Sequence, residues 1–469
     1  MTTPPVSTRS KAAMLESLPP EWPDDPMPEI RQVIRSLNQK VVVLDDDPTG
    51  TQTVHDVAVL TAWSDEMIEI EMADPSPAVF VMHNSRSMTT GRAAATNTEI
   101  GTALAQTKRP FVVVSRSDST LRGHYPAETN ALANALRMTL DGVLIIPAFM
   151  AGGRYTIGDV HYVAEGTDLI PAAETPFAQD KAFGYRHSNL REWVEEKTGG
   201  SIVAGEVQSL SLKTIRSGGP SAVYSQLKTL TNGEVCIVNA VTERDLAVVA
   251  LGALQAEAEG RRLLYRSAAS FATIRAGIDL QPPLSAAQLD LPAVGGGLIV
   301  VGSYVPKTTA QLGKLLERDD VHGIEVEVAH LLDDATQTAT VKRVTQAADS
   351  LLTRGETVAV YTSRKLVFGD DEASSLAIGN RVSQSLVDIV QQAKAPLRYL
   401  IAKGGITSSD VATQGLGVQR AMVPGQILPG IPVWKLGPES RKPGMAYIVF
   451  PGNVGGEYAL SEVVTKLKE

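Results

Sequence analysis

Short runs of consecutive apolar residues recur along the chain, and stretches with helical spacing of apolar residues separate several of them. In the first half these runs, rich in β-branched residues, lie at 40–44, 78–82, 110–114, 142–146 and 235–238. Continuous runs of this kind are typical of strands buried on both faces of a parallel sheet. Helical patterns at 91–108 and 127–140 fall between the runs, so the first half predicts repeated β–α units.

The second half of the chain repeats this arrangement. Its strand candidates lie at 298–301, 357–361, 398–402 and 446–450. Long helical patterns lie between them, at 339–354 and 374–394. Between the halves, residues 280–297 combine prolines with a glycine run, which is typical of a linker that enters a new domain. We therefore predict two α/β domains with mostly parallel sheets, covering 40–285 and 295–469.

Residues 1–39 differ from the predicted domains in composition. They contain seven prolines, and only 29–37 shows helical spacing of apolar residues. We interpret this N-terminal extension as an appended arm with one short helix.

Composition narrows the class of protein. The 469 residues are 43% hydrophobic and 20% charged, so the chain can bury a sizeable core and exceeds one domain of roughly 150 residues. The net charge of −9 and the aromatic content of 5% disfavour nucleic acid and anionic membranes as partners.

The lone cysteine, Cys236, leaves no disulfide framework or cysteine-based metal site. The sequence shows no signal-peptide core and no apolar stretch of about 18 residues, so we expect a cytoplasmic protein.

Three adjacent carboxylates follow the first predicted strand, in the segment Asp45–Thr51. They repel one another unless a cation, an arginine or substrate hydroxyls compensate. The carboxyl end of a parallel strand opens onto a binding crevice, where a carboxylate could accept bonds from sugar hydroxyls or deprotonate one as a general base. From this motif alone, a helix N-cap cluster in a solvated loop is an equal alternative.

A second polar segment, Ser115–Gly123, follows another predicted strand and places two arginines among four hydroxyl side chains and Asp118. Arginine binds carboxylates bidentately, and the remaining groups suit a polyol, so the set favours a sugar acid over a solvated turn. The segments 83–87 and 147–155 place further arginines after strands of the same half, where loops converge on one ligand.

The second half carries glycine-bearing turns after three predicted strands, at 301–308, 401–412 and 450–456. The middle turn opens a helix, and free backbone N–H groups at such a start suit a phosphate. An ordinary capped helix is the alternative. Neither a Walker A loop nor a dinucleotide fingerprint after a strand is present. Three such turns could surround one nucleotide.

Taken in order, these motifs resemble the four-carbon acid sugar kinase family. The resemblance extends from residue 40 to the end of the chain. It rests on six motifs, namely Asp46–Gly50, Ser117–Gly123, 147–154, Gly302–Ser303, Lys403–Ser408 and Gly452–Gly455.

The resemblance implies an ATP-dependent kinase whose N-terminal domain binds a tetronate-like acid and whose C-terminal domain binds ATP, with the active site in the cleft between them. The acceptor would be the terminal hydroxyl of threonate, erythronate or a 3-oxo-tetronate, and transfer would need Mg²⁺. By motif position, the catalytic candidates are Asp46 and Asp47, one of them the general base. The substrate-binding candidates are Arg86, Asp118, Ser119, Thr120, Arg122, Gly153 and Arg154. The nucleotide-binding candidates are Ser303, Gly404, Gly405, Ile406, Thr407, Ser408, Gly452 and Gly455. No residue is carried over as a metal ligand.

The chain departs from the family pattern in several places. Pro48 replaces the usual aromatic residue, His124 stands where the family has asparagine, Thr51 follows Gly50 in place of alanine, and the extension before residue 40 is unusual. The alternatives are therefore a kinase for another small hydroxy acid, or a non-catalytic sugar-acid sensor. The missing fingerprint disfavours a nicotinamide-dependent dehydrogenase. Nothing in the sequence locates an oligomer interface, so a homodimer stays open.

Overall fold

The computed structural model describes residues 9–47, 49–279, 281–364, 367 and 372–469. In chain order, strands β1 to β19 are Arg9–Ser10, Lys40–Asp45, Val57–Leu60, Ala78–Met82, Phe111–Arg116, Gly142–Ile146, Arg154–Ile157, Val160–Glu165, Asp168–Pro171, Gln208–Leu210, Glu234–Val238, Leu263–Ser267, Gly296–Val301, Val321–Val326, Thr357–Thr362, Leu397–Lys403, Arg420–Leu428, Ile431–Leu436 and Ala446–Phe450. Helices α1 to α15 are Lys11–Glu16, Met27–Leu37, Asp65–Ala73, Thr90–Leu104, Ala127–Ala135, Leu190–Lys197, Leu212–Leu227, Glu243–Ala258, Ala269–Arg275, Pro306–Leu316, Val328–Leu332, Gln337–Thr353, Glu372–Gln392, Gly405–Asp410 and Ala459–Lys468. None of these helices has the length and apolarity needed to cross a membrane.

The chain divides into two units. The first comprises Met1–Gly50 with Ala62–Asp279, and the second comprises Thr51–Thr61 with Leu280–Glu469. The short segment between residues 51 and 61 thus belongs with the C-terminal half, although the predicted range 40–285 includes it. Strand β3 explains this assignment, because it pairs antiparallel with β17, which places Leu60 opposite Arg420.

The large sheet of the first unit is parallel throughout the part of the chain that the structure describes. Its strands lie in the order β10-β11-β6-β12-β5-β2-β4. Every residue of β2 is buried, as its apolar run predicts. The register places Asp45 opposite both Met82 and Arg116, so the carboxyl ends of β2, β4 and β5 meet at one edge.

The sheet of the second unit has the order β3-β17-β18-β19-β16-β13-β15-β14. The pairs from β19 to β14 are parallel, and those from β3 to β19 are antiparallel. Val301 lies opposite Lys403, which lies opposite Phe450, so three strand ends again coincide. The predicted α/β fold with mostly parallel sheets is confirmed.

The N-terminal extension contains more structure than the predicted arm with one helix. In addition to α2, which covers the predicted 29–37 segment, it forms α1 and the short strand β1. Ile30 and Ile34 of α2 are buried, and Arg31 forms an ion pair with Asp279 of the same unit. Strand β1 pairs with β9 at the edge of a small antiparallel sheet, β1-β9-β8-β7. Apolar burial therefore anchors the described part of this segment to the first unit.

Candidate active site

The carboxylates after β2 are held by arginines from neighbouring strand ends. Arg86, which follows β4, binds Asp46 through Nε and Nη2 and reaches Oδ2 of Asp47 through Nη1 at 3.0 Å. The same Nη1 lies 3.9 Å from Oδ1 of Asp118, which follows β5. Arg86 is thus the shared cation of three aspartates, which offsets their mutual repulsion.

Asp46 and Asp47 differ in how accessible they are. The side chain of Asp46 is 2% exposed, and Ser117 Oγ donates a further bond of 3.0 Å to its Oδ2. The side chain of Asp47 is 23% exposed, and its Oδ1 accepts bonds from the backbone and hydroxyl of Thr49. Burial opposes ionisation of Asp47, but Arg86, Arg116 and the Thr49 bonds hold its pKa below the ordinary value. Of the two catalytic candidates, Asp47 is the ionised carboxylate that a ligand can reach.

Asp118, Thr120 and Arg122 form a compact loop. Oδ2 of Asp118 accepts hydrogen bonds from Thr120 Oγ1 and from Arg122 Nε, the latter at 2.7 Å. Burial opposes ionisation of Asp118, but Arg86 and Arg122 hold the pKa of this carboxyl far below its usual range. Arg122 also approaches Asp180 Oδ2 at 3.7 Å. Asp118 therefore acts as a fixed anion that orients both arginines.

Arg154 supplies a cation that no carboxylate pairs with in the part of the chain that the structure describes. Its Nη1 donates to the Gly152 carbonyl, and its Nε is buried without a hydrogen-bond partner. The guanidiniums of Arg122 and Arg154 lie 5.2 and 5.6 Å from the ring centre of Phe177. Burial lowers the pKa of Arg154, although Asp118 acts in the opposite sense. This arrangement leaves positive charge available for an anionic ligand.

The remaining substrate-side candidates contribute mainly through backbone. The carbonyl of Ser119 accepts a bond from Nε2 of the buried His161 at 2.8 Å. Gly153, with φ 75°, makes the left-handed turn that leads into β7 and thus sets the direction of Arg154. His124 is one of the departures from the family pattern. Its Nδ1 lies 3.1 Å from Thr90 Oγ1 and its Nε2 lies 3.0 Å from the Ser85 carbonyl oxygen, so the ring connects two loops. Pro48 lies outside the described residues.

The sequence-based candidates omit a buried ion pair beneath these loops. Arg116 Nη1 lies 2.9 Å from Asp45 Oδ1, and the two side chains are 10% and 1% exposed. Burial, reinforced by Asp46 and Asp47 and opposed by Arg116, raises the pKa of Asp45 to about 7. Both residues lie inside the polar segments described above, so the sequence contains a signal for this ion pair. Phe177 and Asp180 belong to no motif, and only the fold brings them to Arg122.

Gly50 is the residue that makes room for this buried carboxyl. A Cβ at position 50 would lie 1.3 Å from Asp45 Oδ2 and 2.1 Å from its Cγ. Gly50→Ala is therefore expected to lower the free energy of unfolding by about 3 kcal/mol, the upper part of the range for overpacking. Gly91→Ala in α4 is the matched control, because a Cβ there meets nothing within 4 Å. Urea unfolding of both variants checks this, and equal stability would contradict the packing at Gly50.

In the second unit, the three predicted glycine turns follow adjacent parallel strands. Gly302 and Ser303 follow β13, Gly404 and Gly405 follow β16, and Gly452 to Gly455 follow β19. The Gly404 N–H donates to the Phe450 carbonyl at 2.8 Å, and the Ser303 N–H donates to the Lys403 carbonyl at 3.4 Å. The structure therefore brings the nucleotide-binding candidates to one edge of this sheet.

Side chains fix these turns to one another. Thr308 Oγ1 donates to the Gly452 carbonyl at 3.0 Å and lies 3.3 Å from the hydroxyl oxygen of Ser303, which can donate to it. Arg364, which no motif includes, donates from Nη1 to the Ser303 carbonyl at 2.7 Å. Gly404 has a φ of 119°, and a Cβ there would lie 2.8 Å from Ser303 Cβ, so this position requires glycine.

The residues after Gly405 divide into exposed and structural ones. Ile406 is 65% exposed, and Thr407 is buried. The hydroxyl of Ser408 donates to the Ala402 carbonyl at 2.7 Å, and Tyr447 donates to the Ser408 carbonyl at 2.6 Å. Ser408 is thus occupied in holding α14 against β16 and β19.

Family models match most of the chain. One described as "Sugar-binding N-terminal domain" matches residues 41–275, and one described as "Nucleotide-binding C-terminal domain" matches residues 298–460. A solved Haemophilus influenzae protein has the same fold, with a TM-score of 0.63 and 17% identity over 91% of this chain and all of that protein.

Two curated relatives are named D-threonate kinase. The Salmonella typhimurium protein is 26% identical over 92% of this chain and 99% of its own length. The Cupriavidus necator protein is 27% identical over 80% of this chain and 84% of its own length. Together with the two family models, they show that the chain belongs to the four-carbon acid sugar kinase family, enzymes that transfer a phosphoryl group to a hydroxyl acceptor.

Proposed function

We propose that this protein uses ATP to phosphorylate the terminal hydroxyl of a four-carbon sugar acid. D-threonate, the substrate named in two relatives, is the first acceptor to test, followed by erythronate and the 3-oxo-tetronates. The observation that carries this proposal is the presence of two oppositely charged groups in the first unit. A reachable carboxylate, Asp47, is present together with an arginine, Arg154, that has no carboxylate partner among the described residues.

A sugar acid matches both groups. Its carboxylate would bind Arg154 and Arg122, since a guanidinium donates two parallel hydrogen bonds to a carboxylate. Its hydroxyls would bind Asp118 and Asp47, whose ionised oxygens accept hydrogen bonds. The acid carboxylate would also provide the anion that Arg154 lacks, which lowers the cost of keeping a partly buried guanidinium charged.

The transfer step follows from this orientation. The terminal hydroxyl donates a hydrogen bond to Asp47, and its oxygen attacks the γ-phosphorus of ATP. A bond forms between this oxygen and phosphorus, the bond from phosphorus to the β–γ bridging oxygen breaks, and ADP leaves. Asp47 accepts the hydroxyl proton and later releases it to solvent. In most phosphoryl transfers the protein contributes positioning and charge stabilisation, which is what the arginine-bound carboxylates and the glycine turns supply.

Mg²⁺ bound to the nucleotide would neutralise charge on its phosphates during transfer. Within the described residues no group of three histidine, cysteine or acidic side chains is placed to hold a metal. We therefore assign no side chain to Mg²⁺, which commonly binds through substrate phosphates and water with only one or two carboxylates.

The test is ADP formation from Mg-ATP with a panel of acceptors. A four-carbon sugar acid should stimulate ADP formation, and the neutral tetrose of the same configuration should be used roughly 10- to 150-fold less well, the value of one charged hydrogen-bonded interaction. Five- and six-carbon acids complete the panel. Equal use of acid and neutral sugar would contradict the role of the arginines, and binding of an acid without turnover would indicate a sensor.

A further inference from the structure

A lysine with unusual surroundings lies at the centre of the glycine turns of the second unit. Lys403 is the last residue of β16, and its side chain is fully buried. Its Nζ donates to the Pro451 carbonyl at 2.6 Å and to the Gly452 carbonyl at 3.3 Å, and lies 4.0 Å from the Phe450 ring centre. No carboxylate pairs with it in the part of the chain that the structure describes.

Such an environment is costly for a charged ammonium. Two carbonyls and an aromatic face stabilise a cation only partly, because full removal from water costs several kcal/mol when no anion compensates. Burial, with a smaller contribution from Lys307, lowers the pKa of Lys403 to about 7. An anion bound at these turns would supply the missing compensation.

The hydrogen bonds of Lys403 also set the direction of the turn after β19. In a trans peptide the N–H points away from the preceding carbonyl. Because the carbonyls of Pro451 and Gly452 face the lysine, the N–H groups of Gly452 and Asn453 face away from it. Neither N–H donates a hydrogen bond within the described residues. Successive free N–H groups of this kind make an anion-binding concavity.

We propose that Lys403 is a positioning residue of the nucleotide site: its side chain holds the turn 451–453 so that the backbone N–H groups face the phosphates. This inference rests on the proposed function, which places the nucleotide at these turns. The phosphates stabilise the protonated form of Lys403, so the protein takes up a proton when the nucleotide binds. Nucleotide affinity is therefore full below the pKa that Lys403 has in the nucleotide-free protein, and it declines as pH rises above that value.

Among the described residues, few charged groups lie near Lys403. Lys307 of α10 approaches the same turn, with Nζ 3.3 Å from the Asn453 carbonyl. The neighbouring strand β13 ends in Val301, and the turn after β19 contributes only Pro451 and Gly452. On α14, Asp410 is hydrogen-bonded to Ser383 and Gln414.

The test is calorimetric titration with the non-hydrolysable analogue Mg-AMPPNP between pH 7 and 8.5, in buffers of different ionisation enthalpy. The wild-type protein should take up a proton on binding. Lys403→Met should bind about 10- to 150-fold more weakly, without that uptake, since it loses hydrogen bonds from a charged group. Lys403→Arg should recover part of the affinity but not the proton uptake, because arginine does not titrate here.

The controls separate this inference from the proposed function. Lys435→Met, at an exposed lysine paired with Asp290, should leave affinity and proton uptake unchanged. Lys307→Met removes a nearby positive charge and should move the proton uptake to higher pH. This shift tests the role of Lys403 even if the Lys403 variants do not fold. Failure of the wild-type protein to bind Mg-AMPPNP would contradict the proposed nucleotide site. Tight binding without proton uptake, with no shift in Lys307→Met, would overturn the inference for Lys403 alone.

Discussion

Replacing Asp47 with asparagine is expected to lower the rate of phosphoryl transfer by roughly 10²- to 10⁴-fold, the usual contribution of a general base. Asparagine keeps the shape of the side chain and an oxygen for Thr49, but it cannot accept the hydroxyl proton. The affinity for Mg-ATP should stay unchanged, because the nucleotide-binding candidates lie in the second unit and Asp47 lies in the first. Steady-state turnover and calorimetric binding of the nucleotide measure the two effects separately.

Two matched variants define what Asp47 does. Asp168→Asn changes an exposed carboxylate of the same unit and should leave the rate unchanged. Asp46→Asn should instead reduce stability, because Asp46 is buried and both of its oxygens are hydrogen-bonded. A normal rate in Asp47→Asn would exclude Asp47 as the base. Equal loss of nucleotide binding would show that the two ligands are assigned to the wrong units.

Arg154→Met is expected to raise the KM for the sugar acid by roughly 10- to 150-fold, the value of a charged hydrogen-bonded pair. Methionine keeps an apolar side chain against Phe177 but cannot bind a carboxylate. The KM for Mg-ATP should be unchanged. Stability should fall little, because no carboxylate among the described residues loses a partner and the buried Nε no longer has to be accommodated.

The control for Arg154 is Arg186→Met. Arg186 belongs to the same unit, and its side chain is 82% exposed beside Glu196. This variant should leave both KM values unchanged, since the ion pair of so exposed an arginine contributes little. If Arg154→Met left the KM for the acid unchanged as well, the carboxylate of the substrate would have to bind elsewhere.

The sequence predicts the parallel sheets well, because a strand buried on both faces appears in the sequence as a continuous apolar run. The runs at 78–82, 142–146 and 446–450 coincide with β4, β6 and β19. The position of the polar segments immediately after such runs also anticipates that Asp46, Arg86 and Asp118 meet, because parallel strands end at the same edge.

Other features depend on contacts between distant parts of the chain. Strand β3 has only four residues, and its pairing with β17 joins positions about 360 residues apart, which periodicity does not encode. The proximity of Phe177 to Arg122 and Arg154 is likewise set by tertiary packing. The charge state of Lys403 depends on burial, although its sequence position next to Gly404 marks it as part of a turn.

The most direct test of the central claim is phosphorus NMR of the product formed from Mg-ATP and D-threonate, with ADP measured in parallel. The proposed function predicts a new phosphate ester on the terminal carbon of the acid, one for each ADP released. ADP without an ester, or an ester only with neutral sugars, would contradict the assignment of this protein as a sugar-acid kinase.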